Sequence, residues 1–144
     1  MKTTLKSKIL AISFVLIFLT GLINLSFVQG EKKPWVVPEN AKKAKNPVKS
    51  DSESLAAGKS VWNKHCKSCH GSTGKGDGSK SGELDTDPGD FSTKEYQSHT
   101  DGELFYKAKE GRDDMPSFKK KITDDEDIWN VVNYTRTFGD AKKK

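Results

Sequence analysis

The chain has 144 residues, of which 33 % are hydrophobic, and a formal net charge of +5. That length allows one small domain with flanking segments. The charge is segregated: residues 51–140 hold 13 basic and 18 acidic side chains, while 31–50 carry +4 and 141–144 carry +3. An acidic domain between basic ends argues against a nucleic-acid partner.

Residues 1–30 read as an export signal. Lys2, Lys6 and Lys8 form a positive start, and an uncharged apolar run extends from Ile9 to about Val28. Val28-Gln29-Gly30 offers small residues for cleavage after Gly30. The run also has the length of an uncleaved membrane anchor, although Gly21, Asn24 and Gln29 weaken its second half. No cysteine lies near the cut to carry a lipid. Either reading places the functional part in the periplasm or otherwise outside the cytoplasm. Residues 31–50, with Pro34, Pro38, Pro47 and six lysines, read as an extended linker. Within it Trp35-Val36-Val37 is the one apolar cluster.

From Asp51 the pattern turns helical, with Asp51 or Ser52 as cap and Leu55, Val61 and Trp62 near helical spacing. This helix runs into Cys66-Lys67-Ser68-Cys69-His70, which holds the only two cysteines of the chain. C-x-x-C-H is the attachment signature of c-type haem. Each thiol can form a thioether to one porphyrin vinyl group, and His70 then reaches the iron from one face. A thiol–disulfide oxidoreductase would use the same cysteine spacing, but the βαβ pattern expected around it is missing, and His70 would go unexplained. Gly71, Gly74, Gly76, Gly78, Gly82 and Gly89 with Pro88 mark a long irregular loop. So much glycine suggests backbone running close to the haem. A carbonyl near Pro88 is the candidate partner for the second ring nitrogen of His70.

Thr100-Asp101-Gly102-Glu103 is a capping box that opens a helix ending at Gly111. Met115, the only methionine after the initiator, follows in Asp113-Asp114-Met115-Pro116. Pro116 holds its backbone extended, which makes Met115 the candidate for the iron's other face. His65 and His99 are the alternatives. With both axial positions filled by the protein, no site is left for a small-molecule substrate, which points to electron transfer. Lys119, Lys120 and Lys121 either face a redox partner or form a solvated turn. A second capping box, Thr123-Asp124-Asp125-Glu126, opens a last helix with the apolar stripe Ile128, Val131, Val132, Thr135 and Phe138, ended by Gly139. No alternating run suggests a strand, and there is no internal repeat.

Over residues 51–140 these features together resemble the class I cytochrome c family. The resemblance rests on Gly58 with Trp62, Cys66-x-x-Cys69-His70-Gly71, Gly74-x-Gly76-Asp77-Gly78, Pro88-Gly89-Asp90-Phe91, Met115-Pro116 and Trp129 through Tyr134. It implies an all-α cytochrome c fold, with three to four helices and long irregular loops around one covalently bound haem c. It also implies that Gly58 and Trp62 meet Val131 and Tyr134 where the first and last helices cross. Cys66 and Cys69 would tether the haem, and His70 and Met115 would ligate its iron. The implied function is single-electron transfer between a protein donor and acceptor, by a free carrier or by a haem-carrying subunit of a larger, membrane-bound complex. The Lys/Pro-rich segment 31–50 and the acidic domain depart from lysine-ringed members of the family.

Overall fold

A computed structural model describes residues 34–140; the segment 1–30, expected to be an export signal, and the basic tail over 141–144 lie outside the described residues. From Val36 onward the chain forms one compact unit. Among the described residues there are six α-helices and no strand: α1 (Glu39–Lys42), α2 (Ser52–His65), α3 (Lys67–His70), α4 (Lys94–Ser98), α5 (Asp101–Glu110) and α6 (Asp125–Asp140), with a 3₁₀ turn over Ser81–Glu83. The expected count of three to four is met by the two long helices and α5. The others are single turns inside the irregular stretches, too short to leave a periodic signal in the sequence.

Helix α6 organises the core. Ile128, Trp129, Val131, Val132 and Phe138 are all buried, and they feed three apolar clusters. Val131 and Phe138 pack with Trp62; Trp129 and Val132 with Leu104; Ile128 with Phe118 and Ile122. A helix flanked on several sides buries more than one stripe, which is why Asn130 and Asn133 are also buried.

Helix α2 crosses α6 closely. Its buried residues, Ser54, Gly58 and Trp62, follow helical spacing. A Cβ on Gly58 would collide with the Asn130 carbonyl and touch Tyr134 Cβ. The crossing implied by the family resemblance is therefore present, with Asn130 at its centre. Asp51 caps α2 by accepting from the Ser54 N–H at 3.1 Å. Thr100 and Glu103 form the expected capping box on α5. The start of α6 differs from expectation: Asp124, not Thr123, supplies the cap, accepting from the Glu126 N–H at 2.9 Å.

Residues 36–50 also depart from the extended-linker reading. Val37 is 4 % exposed, and α1 lies on α5, where the Thr100 hydroxyl donates to the Lys42 carbonyl at 2.8 Å. Gly102 leaves room for the Ala41 and Ala44 carbonyls at that contact. The Asn46 amide donates to Asn133 Oδ1 at 2.9 Å and to the Trp129 carbonyl at 3.3 Å. Asn133 donates in turn to the Val48 carbonyl at 3.2 Å and the Ser54 hydroxyl at 2.8 Å, and Ser54 donates to Asn130 Oδ1 at 2.6 Å. The segment is a strap held by polar bonds and small residues.

Candidate haem site

Cys66 ends α2, and Cys69 and His70 lie in the single turn of α3. Helix α3 would leave its last carbonyls without partners. The glycine loop supplies them: Gly78 N–H donates to the Cys69 carbonyl at 3.2 Å, Gly76 N–H to His70 at 3.0 Å and Lys80 N–H to Ser68 at 2.8 Å. The close neighbours of these glycines lie within the chain itself. Gly78 abuts the Ser68 and Cys69 carbonyls, and Gly74 lies beneath the Phe138 ring.

The two thiols are unbridged and half-buried. Burial pushes the Cys66 thiol up to about 12, with the neighbouring Cys69 adding to the rise. Reactive cysteines of disulfide exchange have depressed values in electropositive settings; the shift at Cys66 runs the other way. His70 is half-buried, and its Nδ1 lies 3.1 Å from the Pro88 carbonyl. A carbonyl only accepts, so Nδ1 carries the proton and Nε2 keeps its lone pair for a metal. Burial lowers the His70 value, opposed by this hydrogen bond, and the ring stays neutral near pH 7. The Phe91 and Trp62 rings flank it, with centroids 4.6 and 5.8 Å away. The Trp62 indole N–H donates to the Gly71 carbonyl at 3.1 Å and fixes the turn after His70.

Met115 closes a narrow turn after α5. Arg112 and Met115 exchange both backbone hydrogen bonds, at 2.8 and 2.9 Å. Asp113 takes the left-handed conformation, φ 52°, which aspartate tolerates better than most residues. The Met115 side chain is half-buried against Phe118, Ile122 and Ile128. Val61 packs on this cluster and on the one that holds Cys66 and Phe91. The cysteine side and the methionine side therefore share a wall.

The two rival histidines are placed differently. His99 is occupied: Lys107 Nζ lies 3.2 Å from Nε2, and Glu103 Oε2 lies 3.6 Å from Nδ1. His65 packs edge-on to Phe118, centroids 5.9 Å apart. That puts it on the side of the Met115 loop. Sequence reasoning missed one contact altogether: Asp114 Oδ2 accepts from both the N–H and the hydroxyl of Thr86, each at 2.8 Å. Nothing in the sequence pairs two loop residues 28 positions apart.

Two unbridged thiols, a neutral imidazole with its tautomer fixed and a thioether in an apolar wall make a donor set that fits a covalently attached haem. Among the described residues, no group of three or more histidine, cysteine or acidic side chains gathers as a separate metal site.

Residues 53–134 match the family described as cytochrome c oxidase, cbb3-type, subunit III. No curated protein sequence matches the chain. Among solved structures, it is similar to a chain of a reducing HAO-like protein complex from Kuenenia stuttgartiensis, with a TM-score of 0.59 and 23 % identity. The likeness covers 75 % of this chain and 52 % of that one, so this chain spans about half the length of its structural relative.

Proposed function

Because the chain belongs to the c-type cytochrome family of cbb3-type subunit III domains, matched over residues 53–134, we propose that it is a single-haem electron carrier working outside the cytoplasm, with His70 and Met115 on the two faces of the iron. The observation that carries this reading is the His70 Nδ1 to Pro88 carbonyl bond, 3.1 Å, on the residue that follows Cys69. It leaves one nitrogen available at a fixed orientation, as metal-ligating histidines require. A haem bound here supplies one-electron iron chemistry. The side chains would hold and tune it: Cys66 and Cys69 would tether the porphyrin, His70 would bind through Nε2, and Met115 would offer a soft neutral sulfur that favours ferrous iron. Trp62 and Phe91 exclude water from the His70 side. A carrier of this kind needs no substrate pocket, because electrons cross at the porphyrin edge.

The test is substitution of Met115. Met115→Ala and Met115→His are expected to lower the reduction potential and change the visible spectrum of the purified holoprotein, while haem staining under denaturing, reducing conditions persists. An unchanged potential and spectrum would remove Met115 from the iron, and His65, beside Phe118, would become the residue to substitute next.

A second reading is a haem-carrying subunit of a larger complex. It is supported by the family description, which names an oxidase subunit, and by the structural relative, which is part of a complex. Among the described residues no helix is long and apolar enough to cross a membrane. Fractionation of native cells separates the readings: a soluble protein beginning at Glu31 supports the free carrier.

A further inference from the structure

One loop orients one proposed axial ligand and a second loop carries the other. The loop before α4 carries Pro88, whose carbonyl fixes His70. The turn between α5 and α6 carries Met115. A direct bond joins them, because Thr86 precedes Pro88 by two residues and Asp114 directly precedes Met115. The Thr86 N–H and hydroxyl converge on one oxygen, Asp114 Oδ2, at 2.8 Å each.

We propose that Thr86 and Asp114 are positioning residues, forming a clasp that ties the Met115 turn to the Pro88 loop and so holds the thioether against the iron. The inference rests on the His70/Met115 ligation proposed above. A methionine–iron bond is weak, so its survival depends on how closely the backbone presents the sulfur. The Met115 turn needs such help. It is only four residues from Arg112 to Met115, closed by its own pair of backbone bonds, and Asp113 sits in a sparsely populated conformation. Its other ties run back to α5: the Ser117 hydroxyl and the Phe118 N–H both donate to the Lys109 carbonyl, at 2.9 and 3.2 Å. Those bonds fix the turn to its own helix. The clasp fixes it to the segment that orients His70. Both donors come from one residue and charge assists both bonds, which gives the contact direction as well as strength. Neither Thr86 nor Asp114 belongs to the buried core.

The experiment is a titration of the ferric holoprotein with imidazole, which competes for the methionine position, followed by the loss of the sulfur-to-iron charge-transfer band. Thr86→Val removes the hydroxyl donor, Asp114→Ala removes the acceptor, and Thr86→Ser keeps the donor. Asp114→Ala is expected to bind imidazole about tenfold more tightly, the scale of lost charge-assisted hydrogen bonds. Thr86→Val should fall between it and the parent, and Thr86→Ser should match the parent. Reduction potentials should fall in the same order. If Thr86→Val and Asp114→Ala keep the parent's imidazole affinity and potential, the clasp has no such role. If Met115→Ala leaves the charge-transfer region of the parent spectrum unchanged, the ligation reading fails and the clasp falls with it. Far-ultraviolet circular dichroism of each variant separates ligand loosening from unfolding.

Discussion

Gly58 is the residue on which the α2–α6 crossing depends most directly. Any side chain there meets the Asn130 carbonyl, part of the α6 backbone, which cannot rotate away. Gly58→Ala is therefore expected to cost about 1–3 kcal/mol, the range for overpacking, despite the usual gain in helix propensity when alanine replaces glycine. Urea denaturation of the holoprotein measures it, and a neutral or stabilising result would mean that the two helices do not touch there. Gly58 was legible from the family resemblance alone. Composition would call it a flaw in a helix, since Leu55 and Val61 look like the natural packing face. The face that is actually buried, Ser54-Gly58-Trp62, has a serine and a glycine at two of its three positions, so hydrophobic periodicity could not find it. His70 and its Pro88 partner were legible because the chemistry of a ligating imidazole demands a carbonyl. The Thr86–Asp114 contact was not, since hydrogen bonds between distant loops leave no pattern along the chain.

Among the elements, the strap over residues 36–50 is where composition misled most. Lysines and prolines describe its exposed side, while the contacts that seat it are made by Val37, Asn46 and the backbone around Ala41. None of these has a period to detect. Asn46→Ala would leave the Asn133 side chain and the Trp129 carbonyl short of a donor in a partly buried setting, at a cost of about 1–3 kcal/mol. A chain beginning at Asp51 should lose more, because burial of Val37 goes as well, worth about 1.5–3 kcal/mol. Thermal unfolding of the two shortened or altered forms checks this. Equal melting temperatures for the parent and the chain from Asp51 would restore the tether reading. Helices α5 and α6 were far easier to read. The α5 capping box is as the sequence spells it, the α6 cap lies one residue later at Asp124, and the α6 stripe from Ile128 to Phe138 is buried.

Across the whole molecule, the loop after Met115 gathers three lysines in a row. Lys119, Lys120 and Lys121 are all exposed, but they are not equivalent. Lys119 pairs with Glu110 at 2.6 Å, and Lys121 sits over the Phe118 ring at 5.8 Å. Lys120 is the cleanest place to reverse charge without disturbing a neighbour. Lys120→Glu is expected to slow reduction by an acidic native partner at low ionic strength and to flatten the salt dependence, with little change at high salt. Stopped-flow rates at several salt concentrations decide it; an unaltered salt slope would place docking elsewhere. The helical fold and the attachment motif were open to sequence reasoning because each is written locally, in spacing or capping. The partner is not, since it depends on which charges share a face.

The polar network from Asn46 through Asn133, Ser54 and Asn130 spans sequence separations of 76 to 87 residues. The two ends of the domain are thus each other's main support. Early and late segments cannot settle until the whole length between them exists, and closing so large a loop costs entropy before any contact repays it. A message cut short anywhere ahead of α6 would give a chain with no stable half. Proteases should then clear it completely, leaving no trimmed fragment behind.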